Sequence, residues 1–460
     1  MQRVARRSRA PVSLVMRRLA GYLAQAVDRP LPAVVAEKAR HHLLDTLAAM
    51  VSGSRLLPGR HAIDYVAALG GTREALVPGS RLVTTAVNAA LAGGMCAHAD
   101  ETDDSHQPAF FHPGCGIVPA ALAMAERMQA SGAALLRAVV LGYDVGARMN
   151  LALGGIRFHL RGHSAHSFGA LFGAAAAAGA LARLDPDQCR WLLSYAAQQA
   201  SGVSSWMRDV DHVEKAFDLG GMTARNGVCA ATMVQAGMTG VDDVFSGERS
   251  FFVAYGPDAD PSVLVAGLGT RYEILRTNIK KWSVGSPIQA ALDSLEALIG
   301  AHRLGADAVA ALQVQVQDHE AAIVNDRDTP DICLQHLLAL MLVDGTVSFA
   351  SSHDRDRMKD PRVLAVRRRI TLTGSAALRR AGGRQAIVQV RTRDGRTLRH
   401  HTQAVRGTPG NPMPRVEVEA KCFALFEPVL GPRRARKLID CVGRIDSLGD
   451  VRELRPLLRA

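Results

Sequence analysis

Between Ala170 and Leu184 the chain is built almost wholly from Ala, Gly and Leu, in the run Phe172-Gly-Ala-Ala-Ala-Ala-Ala178-Gly-Ala180. Such a stretch has little choice of structure. Alanine is the best helix former, and a face of Ala and Gly lets a second helix come close. Glycine-rich runs also invite a nucleotide-binding reading, but no Gly-x-Gly-x-x-Gly follows a strand here and no Walker lysine is present. Nor is any run long and apolar enough to span a bilayer. The stretch therefore predicts a buried helix in close contact with another. The composition agrees, at 48% hydrophobic but only 5% aromatic, with the apolar weight on Ala, Leu and Val.

Apolar residues recur at three- and four-residue spacing from Val12 to Gly53, as Leu19, Leu23 and Val27, then, after Leu31-Pro32, as Val35, Ala39, Leu43 and Leu47. Further helices are predicted at Thr84–Ala97, Ile117–Met128, Ala133–Asn150, Asp187–Ser201 and Arg225–Met238. After about Thr277 the period changes. Leu312, Val314 and Val316 alternate with glutamines, Ile370-Thr-Leu372 and Ile387–Val390 read as strands, and Arg393-Asp-Gly395-Arg396 is a hairpin turn. Helices at Ser286–Ile299 and Leu334–Asp344 are interspersed, and helical character returns over Val416–Leu430. The expected fold is mainly α: a large helical domain over 14–276 plus 412–460, a smaller α+β domain inserted at 277–411, and a basic, disordered extension over 1–13. The C-terminus is expected to pack back onto the first part, and the cleft between the two domains is the default site.

The net charge of +12 favours anionic partners, though much of it sits at the ends, in Arg3, Arg6, Arg7, Arg9, Arg17 and Arg18 and in Arg433, Arg434, Arg436 and Lys437. No recognition motif or aromatic interleaving accompanies these arms, so nucleic acid is not an expected partner. Neither is a membrane. The acid-free start reads as a transit peptide, a disordered arm or an upstream start; the cytoplasm is the default location. Seven scattered cysteines without a Cys-x-x-Cys pair fit a reducing compartment and no metal framework.

One segment concentrates chemistry. From His98 to His112 lie three imidazoles (His98, His106, His112), four carboxylates (Asp100, Glu101, Asp103, Asp104) and Ser105, just ahead of Pro113-Gly114 and an apolar helix. Groups able to titrate near neutrality at a helix entrance suit proton transfer; a wet loop is the bland alternative. A second polar knot holds Arg157, His159, Arg161, His163, Ser164 and His166, and a third holds Asp209, Asp211, His212, Glu214, Lys215 and Asp218. Lys215 is a candidate carboxylate binder, or else a surface partner of Glu214 or Asp211. Asp45, inside a helix, is expected to be paired rather than catalytic.

The order His98-Ala-x-x-x-Asp103-Asp104-Ser105-His106…His112-Pro113, Gly142-Tyr-Asp144, the alanine run, Lys215…Ala224-Arg-Asn226-Gly227, Lys280-Lys281 and Leu342-Val-Asp344-Gly345 resembles the MmgE/PrpD superfamily, from about residue 14 to the C-terminus. The resemblance implies a large helical domain with an α+β lid. It also implies a homodimer that works without metal or organic cofactor on a small di- or tricarboxylate. The shared step is handling a proton on carbon next to a carboxylate. By position, His112 is the implied acid/base residue, Glu101 and Ser105 assist it, Lys215 and Lys280 bind carboxylates, and Asp104 lies in the substrate-binding set.

Two departures qualify this. Ser164 stands where many members have a catalytic histidine, which leaves His163 or His166 as a second acid with Ser164 as a substrate contact. Gly285 and His336 stand where relatives carry other polar side chains. The reading is a 2-methylcitrate dehydratase-like hydro-lyase; a decarboxylase, an epimerase and a decayed carboxylate-binding protein remain alternatives. A metal site built on His98, Glu101 and Asp103, or on His163-x-x-His166, is the rival, but no His-Glu-x-x-His motif supports it.

Overall fold

The structure, a computed structural model, describes residues 11–460. It is mainly helical, with a small mixed sheet in the C-terminal region. Of the basic extension expected over 1–13, residues 1–10 lie outside the described residues; Ser13 already caps the helix Leu14–Gln25, its side chain accepting from the Met16 N–H. Among the described residues no helix is long and apolar enough to cross a membrane.

The alanine-rich run lies in the helix Ala165–Leu181, every residue of which is buried. It packs across the helix Gly132–Leu153, and glycine sets the approach. A Cβ on Gly173 would stand 2.5 Å from the Gly142 carbonyl oxygen, and one on Gly146 2.6 Å from that of Gly169. Around this pair lie the helices Ala33–Gly53, Ala86–Ala97, Pro113–Met128, Pro186–Gln199 and Met222–Gln235. The helix Arg415–Leu430 joins the same apolar cluster through Val418, Cys422 and Phe426. Its Lys421 reaches Asp45 at 2.6 Å, so the carboxylate buried in Ala33–Gly53 is paired.

A second apolar cluster runs from Trp282 to Val405, while Ile279 and Met413 belong to the first. Its sheet has the strand order Ile370–Ser375, Val309–Gln317, Ala386–Thr392, Thr397–Thr402. The first pair is parallel (Leu312 opposite Ile370) and the others antiparallel (Val314 opposite Val388, Val388 opposite His400). Leu312, Val314 and Val316 point into the cluster and Gln313 and Gln315 outward, as the period-two pattern requires. Gly395, at φ +91°, turns the hairpin, closed by the Thr392 N–H donating to the Arg396 carbonyl at 2.9 Å. Several elements lack a counterpart in the sequence reading, among them the helices Leu57–Leu69, Asp318–Val324 and Pro361–Arg367 and the two-stranded pairing of Ala75–Leu76 with Val83–Thr84.

Candidate active site

The segment from His98 to His112 links the end of Ala86–Ala97 to the start of Pro113–Met128, and His98 through His106 are all buried. Buried carboxylates are costly unless each finds cations and donors. Here each does. Asp100 meets His353 Nε2 at 2.8 Å and accepts from the Thr102 hydroxyl at 2.5 Å. Glu101 receives the ammonium of Lys215 at Oε1 and that of Lys280 at Oε2, the latter at 3.4 Å, while Lys280 also donates to the Glu101 carbonyl at 2.7 Å. Asp103 accepts from His98 Nδ1 at 2.9 Å and His112 Nδ1 at 3.1 Å. Asp104 accepts from His42 Nδ1 at 2.7 Å, the Tyr143 hydroxyl at 2.6 Å and the Gly114 N–H at 2.8 Å.

The Asp103 pair decides what His112 can do. With both Nδ1–H groups directed at one carboxylate, each ring keeps its proton on Nδ1 and leaves Nε2 as the lone-pair nitrogen. Burial pushes Asp103 up, but His98 and His112 more than offset it and hold the carboxyl well below its usual range. Burial pushes His112 below the ordinary imidazole value; Asp103 opposes the shift and Lys280 reinforces it. His112 is therefore a neutral base near pH 7, fixed at the N-cap of Pro113–Met128 and still partly accessible, with its side chain 11% exposed. Glu101 is likewise kept ionised: burial raises it, and Lys215 and Lys280 bring it well below normal.

Imidazoles line the surroundings. His98 and His112 have ring centroids 5.1 Å apart, His112 and His166 5.3 Å, and His98 and His212 5.2 Å. Burial drives His166 well below the ordinary value, helped by His112 and His159, so it is neutral too. Lys215 lies over the Trp206 ring at 5.4 Å. Ser105 pairs its main chain with Asn278 (3.0 and 2.8 Å), and its buried hydroxyl has no partner among the described residues.

The structure thus brings together Glu101, His112, His166, Lys215 and Lys280, keeps Ser105 in the same buried segment two residues beyond Asp103, and leaves three sequence candidates apart. Asp104 is turned away, its carboxylate consumed by His42, Tyr143 and the helix start, so it supports the site rather than facing a substrate. His163 stacks flat on Phe158, with centroids 4.4 Å apart and planes at 7°, and meets Phe168 and Tyr255 instead of the other imidazoles. Ser164 is fully buried, accepting from Trp206 Nε1 at 3.1 Å and donating to Asp218. Burial raises Asp218 to about 7, with the Ser164 hydrogen bond opposing, and Asp218 lies in a π-helical turn, Phe217–Gly221, just ahead of Met222–Gln235. Two residues beyond Ser164, His166 supplies the imidazole near His112.

The sequence reading contains no mention of His353 and places His212 only in the third polar knot, without a role. His353, on the short helix Phe349–His353 of the C-terminal region, is raised to about 9: burial lowers it, and Asp100 more than compensates. It is an imidazolium at neutral pH. His212 has φ +60° and precedes the one-turn helix that carries Lys215. Among the described residues, two groups could hold a metal ion, His98/Glu101/His212 and His98/Asp103/Cys115; neither is one of the rival sets read from the sequence, His98/Glu101/Asp103 and His163/His166. Two surface cavities are lined by other residues. One of about 510 Å³ is lined by Tyr65, Met95, Val213 and Phe217, and one of about 460 Å³ by Lys281, Glu296, His401 and Arg406. At the candidate site Glu101 and its two lysines are in direct contact.

Fold and site together define a helical protein with an enclosed acid/base centre, in which a neutral imidazole oriented by a carboxylate stands near two ammonium groups. The chain belongs to the MmgE/PrpD family: the MmgE/PrpD N-terminal domain matches residues 17–264 and the MmgE/PrpD C-terminal domain residues 282–446. It is similar to cis-aconitate decarboxylase of Aspergillus terreus, 25% identical over 464 residues that cover 93% of this chain and 92% of that protein. It is also similar to the cis-aconitate decarboxylase-like protein oryM of Aspergillus oryzae, 27% identical over 63% of this chain and 62% of that one.

Proposed function

We propose that the protein is a lyase acting on a small di- or tricarboxylic acid, with His112 transferring the proton on carbon next to a carboxylate. One observation carries this reading: Asp103 fixes His112 as a neutral base within the same enclosed segment whose Glu101 draws in both Lys215 and Lys280. A substrate carboxylate takes over Glu101's place on the lysines, and the ammonium groups stabilise negative charge that develops as the proton leaves. Ser105 Oγ, free of protein partners, binds a second polar group of the substrate. In a dehydration, His112 takes the proton, the carbon–oxygen bond breaks, and the departing hydroxide takes up the proton that His112 now carries, with the neutral His166 beside it placed to relay it. The region from Trp282 to Val405 reaches the site through His353, with Lys280 just ahead of its first residue, which suits the lid role implied by the family resemblance.

The full-length likeness to a cis-aconitate decarboxylase favours a second reading at the same site. There the carbon–carboxylate bond breaks, carbon dioxide leaves with the lysines holding the remaining carboxylates, and the carbanion takes up a proton from solvent, relayed through the neutral imidazoles of His112 and His166. Incubation with cis-aconitate, citrate and 2-methylcitrate, followed by mass spectrometry of the products, separates the two. Loss of water supports the hydro-lyase and loss of carbon dioxide the decarboxylase. No change in any of the three acids, with binding undetectable by calorimetry, would sink the proposal.

A further inference from the structure

His98 Nε2 and His212 Nε2 are both buried and have no hydrogen-bond partner among the described residues. His98, Glu101 and His212 can each offer one ligand atom, and these atoms lie within 4.8 Å of one another. Three features separate this trio from ordinary buried histidines. First, His98 is oriented from behind: its Nδ1–H donates to Asp103 at 2.9 Å, which leaves Nε2 with the lone pair a metal ligand requires. Second, His212 sits in the left-handed region at φ +60°, a conformation rarely tolerated without glycine, and this turn brings its ring to 5.2 Å from that of His98. Third, two imidazoles and one carboxylate form a donor set suited to zinc and its neighbours in the first transition row. The other convergent set, His98/Asp103/Cys115, is less available, because Asp103 already accepts from two rings and the Cys115 thiol donates to the His112 carbonyl at 3.3 Å.

We propose that His98, His212 and Glu101 bind a divalent transition-metal ion such as Zn²⁺, and that the filled site excludes the carboxylate substrate. Binding and exclusion follow from the same geometry. Glu101 is held by Lys215 and Lys280, so a dication reaching its carboxylate must displace an ammonium and be repelled by both. Once bound, it draws Glu101 toward the imidazoles and takes Lys215 out of the position proposed for a substrate carboxylate. The site itself stands on the geometry of the three ligands; the exclusion rests on the function proposed above.

The test uses the full-length protein, treated with chelator and then titrated with Co²⁺, read by its visible absorption, and with Zn²⁺, read by calorimetry. One ion per chain is expected, with tetrahedral or five-coordinate cobalt bands. His212→Ala should weaken binding at least tenfold, and His163→Ala, a histidine outside the cluster, should not change it. Lys215→Gln should tighten it, because a repelling charge is gone. Absence of saturable binding, or equal affinity in His212→Ala, overturns the site. With an active carboxylate substrate in hand, Zn²⁺ should inhibit competitively and chelator should restore turnover. A chelated protein that requires Zn²⁺ for turnover overturns the exclusion. A protein inactive on every acid that still binds Co²⁺ through His212 keeps the site and removes only the proposed function.

Discussion

Replacing Asp103 by asparagine changes few atoms and touches the centre of the proposed chemistry. Asp103 accepts two Nδ1–H bonds, from His98 at 2.9 Å and His112 at 3.1 Å, and lies 3.7 Å from Lys280. An asparagine offers one oxygen and one NH₂ group. Whichever ring faces the NH₂ must accept on Nδ1, and its proton moves to Nε2. If that ring is His112, the base is lost; if it is His98, His112 keeps its tautomer but loses the negative charge that opposes its burial. General-base catalysis contributes roughly 100- to 10,000-fold, so kcat should fall within that range. This is about 3–5 kcal/mol of barrier. The lysines remain, so KM should move by no more than about fivefold. Steady-state kinetics on the active acid measures both, and near-ultraviolet circular dichroism shows whether the fold is kept. A folded Asp103→Asn protein with kcat within about threefold of wild type would refute the role given to Asp103 and His112.

Other outcomes follow from the same geometry. His166→Ala should lower kcat at least about tenfold while His163→Ala stays within about twofold, since only the former ring adjoins His112; equal effects would return His163 to the site. Because the His112 pKa is depressed, the acidic limb of kcat/KM should lie below pH 6.5 and activity should be level through neutrality; a limb above pH 7 would contradict a neutral base. The His353 pKa is raised from 6.5 to about 9, so its pairing with Asp100 contributes stability that is full below pH 6.5 and lost as pH rises through 9. Thermal melts from pH 6 to 10 should show that loss in wild type, at most about 3 kcal/mol, and not in His353→Ala. Gly173→Ala forces a Cβ against the Gly142 carbonyl and should cost roughly 1–3 kcal/mol, seen as a Tm lower by several degrees.

The helical body was legible because its signals are local. The run around Phe172–Ala180 can bury itself only as a helix, and its Gly173 falls where it meets the backbone at Gly142, while Gly179 makes room for the Leu192 side chain. The strands from Val309 onward announced themselves by alternation. The helix Leu57–Leu69 did not, since Pro58-Gly59 reads as a turn; Pro58 sits at a helix start instead, and Gly59 is needed where the Gly53 carbonyl packs against it.

Within the site, residue types could be read but directions could not. Asp103 and Asp104 are adjacent, yet one faces His112 and the other Tyr143, and an irregular segment has no period that would separate them. His353 lies on a five-residue helix far along the chain, and only the folded contact with Asp100 connects it to the site. The family resemblance drew attention to Ser164; the structure answers with Trp206 and Asp218, which hold that hydroxyl away from the imidazoles.

The most direct test of the central claim is proton NMR of cis-aconitate, citrate, 2-methylcitrate and malate-like diacids incubated with the protein in heavy water, alongside His112→Asn. The account predicts deuterium entering at carbon next to a carboxylate in at least one acid, with or without net conversion, and its loss in the variant. Exchange that persists in His112→Asn, or none in any acid that binds, would contradict it.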